Sequence, residues 1–337
     1  MLYSKLLLTT IFTMSTMVLL AIAPPSIFDQ ISYDEALSVE IQVDMEALTE
    51  DFRSEEKHPA SFTYKDADGV QQVWDIKMKL RGKFRRMKCT ETPPMKLYFD
   101  KTALANAGLS AYNDLKLVNY CEEDKEIARQ LLIKEYLAYK MYHHLTEESF
   151  KVQLLKITYK DTKTNKKTKR WAFVIEDTAQ LKARLGSTKH KGLAPSDTNV
   201  YDKEQVHTMA LFQYMIGNTD WRITDQKNIK IFEKEGKYMA IPYDFDFSGL
   251  VNPSYAFANT DYQLNTLTER VYLGNPKDAM QLASTIELFE NRKTAIYTEV
   301  KKCKYLSMTE KATVLDYLDS FYDHLNLKTI LRSIPQL

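Results

Sequence analysis

Apolar and polar positions alternate through much of the first half of the chain. Side chains on a β-strand point to opposite faces in turn, so this alternation predicts strands. The predicted strands are residues 38–45, two runs within 61–84 joined by an Asp-Ala-Asp-Gly turn, 93–100, 114–121, and a hairpin of 151–161 with 170–178. Residues 128–145 instead carry apolar side chains at helical spacing and predict one long helix. The pattern indicates a β-rich unit over residues 36–178.

In the second half, residues 179–337, the apolar positions recur mostly at helical spacing. Residues 206–218 predict a buried helix, and 309–325 predict an amphipathic one. One β-hairpin interrupts this half at 228–247 and turns at its Glu-Gly dipeptide. We therefore predict an α+β fold in which the two halves join near residues 176–180. The boundary between such halves is a natural place for a ligand cleft.

Composition narrows the choice of partners. The 337 residues are 44% hydrophobic, which is enough to bury a substantial core. The 46 basic and 45 acidic residues leave a net charge of +1, so the bulk charge predicts no nucleic-acid partner. Only 9 residues are glycine, which disfavours a glycine-rich architecture.

The N-terminus has the pattern of an export signal. Lys5 precedes an apolar run from Leu6 to Ala23 that ends in Ala-Ile-Ala, and small residues of this kind mark a cleavage site. Pro24 directly follows and fits poorly at a scissile bond. The apolar run of 18 residues is also just long enough to span a bilayer. We expect an exported protein, periplasmic or at the cell surface, with residues 6–23 either removed or kept as its membrane contact.

The cysteines and histidines do not predict a metal site. Cys89 and Cys121 flank strand-like segments and could either pair as a disulfide or remain thiols. The sequence contains no Cys-x-x-Cys motif, and its six histidines show no ligand spacing. A zinc site is therefore not expected.

Two acidic segments in the second half suggest a different kind of metal site. The stretch IPYDFDFSG (241–249) places Asp244 and Asp246 on one face if it is a strand, and two such carboxylates repel unless a cation lies between them. The preceding segment supplies Asp220 and Asn228, and the hairpin brings Asn228 back toward Asp244. Oxygen ligands of this kind suit Mg²⁺ or Mn²⁺.

These segments, together with others upstream, resemble the CotH kinase-like family of spore-coat proteins and, more distantly, the HipA-type kinases. The matching motifs, between about residues 75 and 255, are KMKLRG, PPMKLYF, DLKLVN, LLIKEYLAYKMY, NTDW, KN and PYDFD. The resemblance implies a protein-kinase-like fold with two lobes, a β-rich N-lobe and a helical C-lobe. It also implies phosphoryl transfer from ATP to a hydroxyl of a protein substrate, with Mg²⁺ or Mn²⁺.

The resemblance assigns catalytic and metal-binding roles by position. Asp220 would be the base that orients the attacking hydroxyl. Asn228 and Asp244 would bind the metal, with Asp246 as a second or substitute ligand. Eight positions separate Asp220 from Asn228, which is a longer loop than in many kinases. Asp225, within this loop, competes with Asp220 for the catalytic role.

The same resemblance assigns the nucleotide-binding residues. Lys96 would bind the phosphates, with Glu135 on the long helix as its partner, and Arg81 and Lys116 compete for the role of Lys96. Glu176 would lie at the hinge that binds the nucleotide. A glycine-rich loop over the phosphates is not evident, since the LRGKF segment has a single glycine.

Other functions compete with this one. The strongest alternative is a catalytically inactive binding or coat-like structural protein of the cell envelope, because ATP is scarce outside the cytoplasm. The DFDFSG segment is also similar to the Asp-x-Asp motif of aspartyl-phosphate phosphatases, but that chemistry needs the motif on the first strand of a parallel sheet. A glycosyltransferase with a metal-bound sugar nucleotide is a further alternative.

Overall fold

A computed structural model of the protein describes residues 23–82, 92–120, 122, 124–275 and 277–335. The predicted export segment lies outside these ranges except for its last residue. Cys89 and Cys121 also lie outside them, so their pairing stays a prediction. Cys303 is a half-buried thiol.

Ten strands are present in the described ranges, and most of them follow the predicted alternation. They are β1 (Leu37–Val43), β2 (His58–Lys65), β3 (Gln71–Leu80), β4 (Met95–Phe99), β5 (Asp114–Val118), β6 (Val152–Asp161), β7 (Lys167–Ile175), β8 (Thr188–Lys189), β9 (Ile229–Lys234) and β10 (Lys237–Pro242). In β1, for example, Val39, Ile41 and Val43 are buried while their neighbours are not. The predicted strand positions in the first half are therefore confirmed.

The helices in the same ranges concentrate in the second half, as predicted. They are α1 (Ile27–Gln30), α2 (Met45–Thr49), α3 (Lys101–Asn106), α4 (Lys125–Leu145), α5 (Thr178–Arg184), α6 (Lys203–Met215), α7 (Ala279–Lys302), α8 (Met308–Tyr322) and α9 (Leu327–Arg332). The long helix α4 begins at the N-cap Asp124, whose side chain accepts from the N–H groups of Glu126 and Ile127. Within the described ranges, no helix is long and apolar enough to span a membrane.

Seven strands close into a barrel in the order β1-β2-β3-β4-β5-β7-β6. Neighbouring strands are antiparallel except where β1 pairs with β6 in parallel, from Leu37 opposite Leu155 to Val43 opposite Asp161. This last pairing joins the two ends of the sheet. The predicted kinase-like fold with two lobes was therefore wrong, because the first half is a closed barrel. The coarser prediction of a mixed α+β protein is confirmed.

A hydrophobic core lies between α4 and the helical half. Its buried side chains include Tyr139 and Tyr142 of α4, Phe212 of α6, and Ile231 of β9. The small antiparallel sheet β10-β9-β8 packs beside it. Glu235 and Gly236 both have positive φ, 53° and 79°, as a two-residue hairpin turn requires, so the predicted turn is confirmed. Helix α4 thus packs between the helical half and strands β6 and β7 of the barrel.

Candidate functional site

Asp220 and Asn228 lie together at the start of the small hairpin. The Asn228 side-chain amide, through Nδ2, donates to the Asp220 backbone oxygen at 2.7 Å and to its Oδ2 at 2.9 Å. Asn228 has a φ of 51°, a left-handed conformation that asparagine tolerates better than most residues. Lys227 forms an ion pair with Oδ1 of Asp220. Because Nδ2 makes both bonds, Oδ1 of Asn228 is left as the atom that can ligate a metal.

Asp244 is joined to this pair through the backbone. The Tyr243 N–H donates to the Asn228 backbone oxygen at 3.0 Å. The next N–H, that of Asp244, donates to the hydroxyl of Tyr139 on α4 at 2.8 Å. Burial raises the pKa of Tyr139 well above its usual value, so its hydroxyl stays protonated. The sequence prediction that the hairpin brings Asn228 close to the Asp244 segment matches this geometry.

The DFDF segment is not a strand, contrary to the expected alternation. Strand β10 ends at Pro242, and Asp244 has a φ of 67°, which no strand adopts. Phe245 is fully buried against Tyr139 and Phe212, with ring centroids 4.6 and 5.5 Å away. Asp246 then falls in a turn with 4% exposure, and the Tyr255 hydroxyl approaches its Oδ2 at 3.4 Å. Asp244 is only half buried, so the two carboxylates have different environments.

The neighbouring barrel strands bring cations to the same region. Lys96 on β4 lies directly opposite Lys116 on β5, and Arg81 follows the end of β3. Lys230 on β9 joins them from the other sheet: its charge acts on Lys116, together with those of Arg81 and Lys96. We call Arg81, Lys96, Lys116 and Lys230 the cation cluster.

Tyr243 connects the cation cluster to the acidic segment. The Lys230 amine lies 4.7 Å from the centroid of the Tyr243 ring. The charges of Asp244 and Arg81 both act on Tyr243, and they act on Tyr139 as well. A carboxylate and an amide oxygen for a metal therefore lie next to a group of cations suited to an anion.

The two predicted glutamates make other contacts. Glu135 on α4 is fully buried, and its Oε2 accepts a bond from the Tyr120 hydroxyl at 2.8 Å. Lys96, its predicted partner, forms its ion pair with Asp114 at 2.8 Å. Glu176 is also fully buried, and its Oε1 accepts from Arg184 at 2.8 Å. Burial raises the pKa of Glu176, although the nearby Arg184 opposes the shift.

Asp225, the predicted competitor of Asp220, is held by a different partner. Its two carboxylate oxygens accept bonds of 2.9 and 2.8 Å from the guanidinium of Arg222, and both side chains are exposed. Asp220, in contrast, contacts Asn228 directly. The geometry therefore favours Asp220 over Asp225 as the residue that acts together with Asn228.

A metal would find a limited set of protein ligands here. Within the described residues, no three His, Cys, Asp or Glu side chains are grouped as a metal site. Mg²⁺ commonly takes one or two protein oxygens and completes its shell with water and substrate phosphates. The Asn228 amide oxygen and the half-buried Asp244 carboxylate fit that pattern, whereas they would be too few for a closed structural site.

Three participants of the site were missed in the sequence. Lys230 is two positions after Asn228 in the predicted hairpin, and this spacing was a signal for it, although Asn228 itself lies outside β9 with a φ of 51°. Asp114 is likewise two positions before Lys116. Tyr139 carries no such signal, because a tyrosine in an apolar helix usually belongs to the core.

No protein-family model matches this chain, and no curated protein matches it either.

Proposed function

We propose that the protein is an exported, metal-dependent phosphotransferase that transfers the terminal phosphoryl group of ATP to a hydroxyl of a protein substrate. The observation that carries this proposal is the position of the Asp220–Asn228 pair and Asp244 next to the cation cluster. Phosphoryl transfer needs little covalent chemistry from the protein, only positioning and charge stabilisation. Motifs similar to those of the CotH kinase-like family also support it.

Each group has a distinct part in this proposal. The cation cluster binds the phosphate oxygens, and Asn228 and Asp244 hold Mg²⁺ or Mn²⁺. The metal, when bound, would neutralise charge on the phosphate oxygens. Asp220 orients the acceptor hydroxyl, whose oxygen forms the new bond to the γ-phosphorus as the bond to the bridging β–γ oxygen breaks. The hydroxyl proton passes to the Asp220 carboxylate, and ADP leaves.

One observation favours the alternative, a catalytically inactive binding or coat-like protein of the cell envelope. Both carboxylate oxygens of Asp220 already have partners, Lys227 on Oδ1 and Asn228 on Oδ2. A base occupied in this way must release Lys227 before it can accept a proton from a substrate. In the phosphotransferase proposal, Lys227 is exposed and moves aside when the acceptor binds.

The test is a transfer assay with ATP labelled in the γ-phosphate and either Mg²⁺ or Mn²⁺. Wild-type protein should phosphorylate itself or a protein acceptor, and Asp220→Ala and Asp244→Ala should each lose at least about a hundredfold in rate. Asp225→Ala should keep the activity, because Arg222 holds that carboxylate. ATP with metal should also raise the melting temperature of wild-type protein.

Two results would contradict the proposal. If ATP leaves the melting temperature unchanged with either metal, the nucleotide does not bind. If Asp220→Ala and Asp225→Ala lose equal amounts of activity, the assignment of the base is wrong. Binding of ATP with no transfer in any variant would instead support the inactive protein.

A further inference from the structure

An open groove lies between the N-terminal end of α4, the start of α8 and the loop of residues 252–267, which we call the rim loop. Its volume is about 790 Å³, which is enough for a short stretch of peptide. Much of its wall is apolar and comes from α4 and the rim loop, through Ile127, Leu131, Pro253, Ala256, Phe257 and Leu267. We call this feature the rim groove.

Three large apolar side chains at the rim groove are exposed to solvent. Ile127 is 52% exposed and Phe257 is 81% exposed, and Met308, directly after the lining residue Ser307, is 80% exposed. The described part of the chain has eight exposed large apolar side chains, so more than a third of them lie here. Single exposed apolar residues are common on proteins, but a group of them around a concavity is typical of an interaction surface.

The charge at the edge of the rim groove is negative. Glu126 and Glu310 line the groove, and Lys134, also in the lining, is buried and forms an ion pair with Glu310 at 3.0 Å. Glu126 is paired with an arginine of its own helix. Beside them, Glu122 accepts a bond from the rim loop, and Asp124 caps α4. Neither of these last two acids forms an ion pair within the described ranges, so their charges are available to a basic partner.

The cations at the same end of α4 lie on a different face. Lys125 and Arg129 line a separate groove together with Lys156 and Lys169 of the barrel. The acids and the cations of this helix end are therefore divided between two surfaces. A basic segment is attracted to the rim groove, whereas an acidic one is attracted to the neighbouring groove.

The rim groove also offers groups that suit a peptide backbone. Asn252 and Asn265 line it, and both residues are exposed. Across the part of the chain that the structure describes, the side-chain amide of neither residue makes a hydrogen bond. A side-chain amide can both donate and accept, as each peptide unit of a bound segment does. These two amides favour a peptide over a wholly apolar ligand.

The rim loop joins the groove to the candidate site. The hydroxyl of Tyr255, within the loop, donates to Oδ2 of Asp246 at 3.4 Å. Further along the loop, the charge of Asp261 acts on Arg222. Arg222 is paired with Asp225, in the segment that carries the proposed base. The same loop thus contacts both acidic segments of the site.

We propose that the rim groove is the docking site for the acceptor protein and binds an extended segment with two apolar side chains flanked by basic ones. The inference rests on the proposed function in taking this segment to belong to the acceptor. The apolar side chains cover Ile127, Phe257 and Met308, and the flanking cations face Glu122 and Asp124. Such a contact selects the acceptor and leaves the reacting groups unchanged.

The experiment measures binding of three fluorescein-labelled peptides to the full chain by fluorescence anisotropy, without nucleotide or metal. The probe is Lys-Lys-Leu-Gly-Phe-Lys-Lys. One control peptide replaces its lysines with glutamate, and the other replaces its leucine and phenylalanine with serine. Met308→Ser is compared with Met280→Ser, because Met280 is also an exposed methionine in the first turn of a helix but lies outside the groove.

Wild-type protein and Met280→Ser should bind the basic apolar probe at least about tenfold more tightly than either control peptide. Phe257→Ser and Ile127→Ser should each weaken this binding about five- to tenfold, and Met308→Ser about threefold. These side chains are exposed, so melting curves should be unchanged. Equal binding of the basic and acidic peptides would overturn the inference. Binding by Phe257→Ser and Met308→Ser that equals that of Met280→Ser would overturn it too.

A transfer assay separates this inference from the proposed function. The probe with a serine added at one end serves as the acceptor, and Phe257→Ser should raise its KM about fivefold with kcat unchanged. If the probe binds with the expected preferences but the wild type transfers no phosphate, the phosphotransferase proposal fails and the groove remains a peptide-binding site. If transfer occurs with equal KM in Phe257→Ser and Met280→Ser, the docking site fails and the phosphotransferase stands.

Discussion

Replacing Phe245 with alanine tests how the DFDF segment is anchored. Phe245 is fully buried between Tyr139 of α4 and Phe212 of α6, and it separates the half-buried Asp244 from the buried Asp246. Phe247 is the matched control in the same segment. It is only half buried, and its ring lies 5.7 Å from that of Tyr255.

The expected cost comes from the lost burial and the cavity that remains. Removing a fully buried phenylalanine side chain costs about 4 kcal/mol of the free energy of unfolding. This figure already includes the energy of the edge-to-face contacts that Phe245 makes with the Tyr139 and Phe212 rings. Phe247→Ala leaves no closed cavity, so its cost should be about 1 kcal/mol. The costs of the two substitutions, each of a phenylalanine that directly follows an aspartate, should therefore differ severalfold.

Urea unfolding followed by circular dichroism and by tryptophan fluorescence measures both variants. Phe245→Ala should also weaken ATP binding more than Phe247→Ala does, because the N–H of Asp244 is held beside Phe245 through Tyr139. Equal losses of stability in the two variants would refute the reasoning. Such a result would mean that both phenylalanines have the same environment, as they would on one face of a strand.

Three further perturbations have expected outcomes. Arg184→Met should cost about 3 kcal/mol at pH 7, because it leaves the buried Glu176 unpaired, and the loss should shrink at lower pH as that carboxylate protonates. Lys116→Met should raise the melting temperature below pH 7. This gain should disappear as the pH rises from 7 towards 10. Over that pH range the folded wild type holds fewer protons than its unfolded chain, so the stability of the wild type rises with pH. Gly249→Ala should cost about 2 kcal/mol, because an added methyl group would lie 2.7 Å from the backbone oxygen of Leu267.

Each of these has an outcome that contradicts it. A loss in Arg184→Met that is the same at pH 5 and pH 8 would mean that Glu176 does not titrate in the fold. A stabilisation by Lys116→Met that does not vary with pH would point to packing instead of charge. An unchanged melting temperature for Gly249→Ala would mean that the backbone at Leu267 moves without cost.

The sequence predicted the local elements well because their signals are local. Alternation placed the strands of the barrel, and helical spacing placed α4, which begins three positions before its predicted start. Closure of the barrel had no such signal. It depends on the pairing of β1 with β6, and alternation is the same whichever strand lies alongside. The prediction of two lobes failed at this one pairing.

At the candidate site, the sequence was informative where residues share an element. The hairpin brings Asn228 to the segment of Asp244 as predicted. The alternation of DFDF suggested a strand, but the chain leaves the sheet at Pro242 and turns at Asp244. The pKa of Lys116 is lowered first by burial and then by the charges of Lys230, Arg81 and Lys96, and no short window of the sequence contains all of these residues.

The parallel pairing of β1 with β6 also determines when the barrel can form. Leu37 finds its partner in Leu155, more than a hundred positions later, so the first strand has one unsatisfied edge until most of the barrel sequence has emerged. Closing so long a loop is slow, and an open strand edge is a place where other chains can pair. During synthesis, the edge of β1 that will pair with β6 is therefore the part of the sheet that most needs protection by a chaperone.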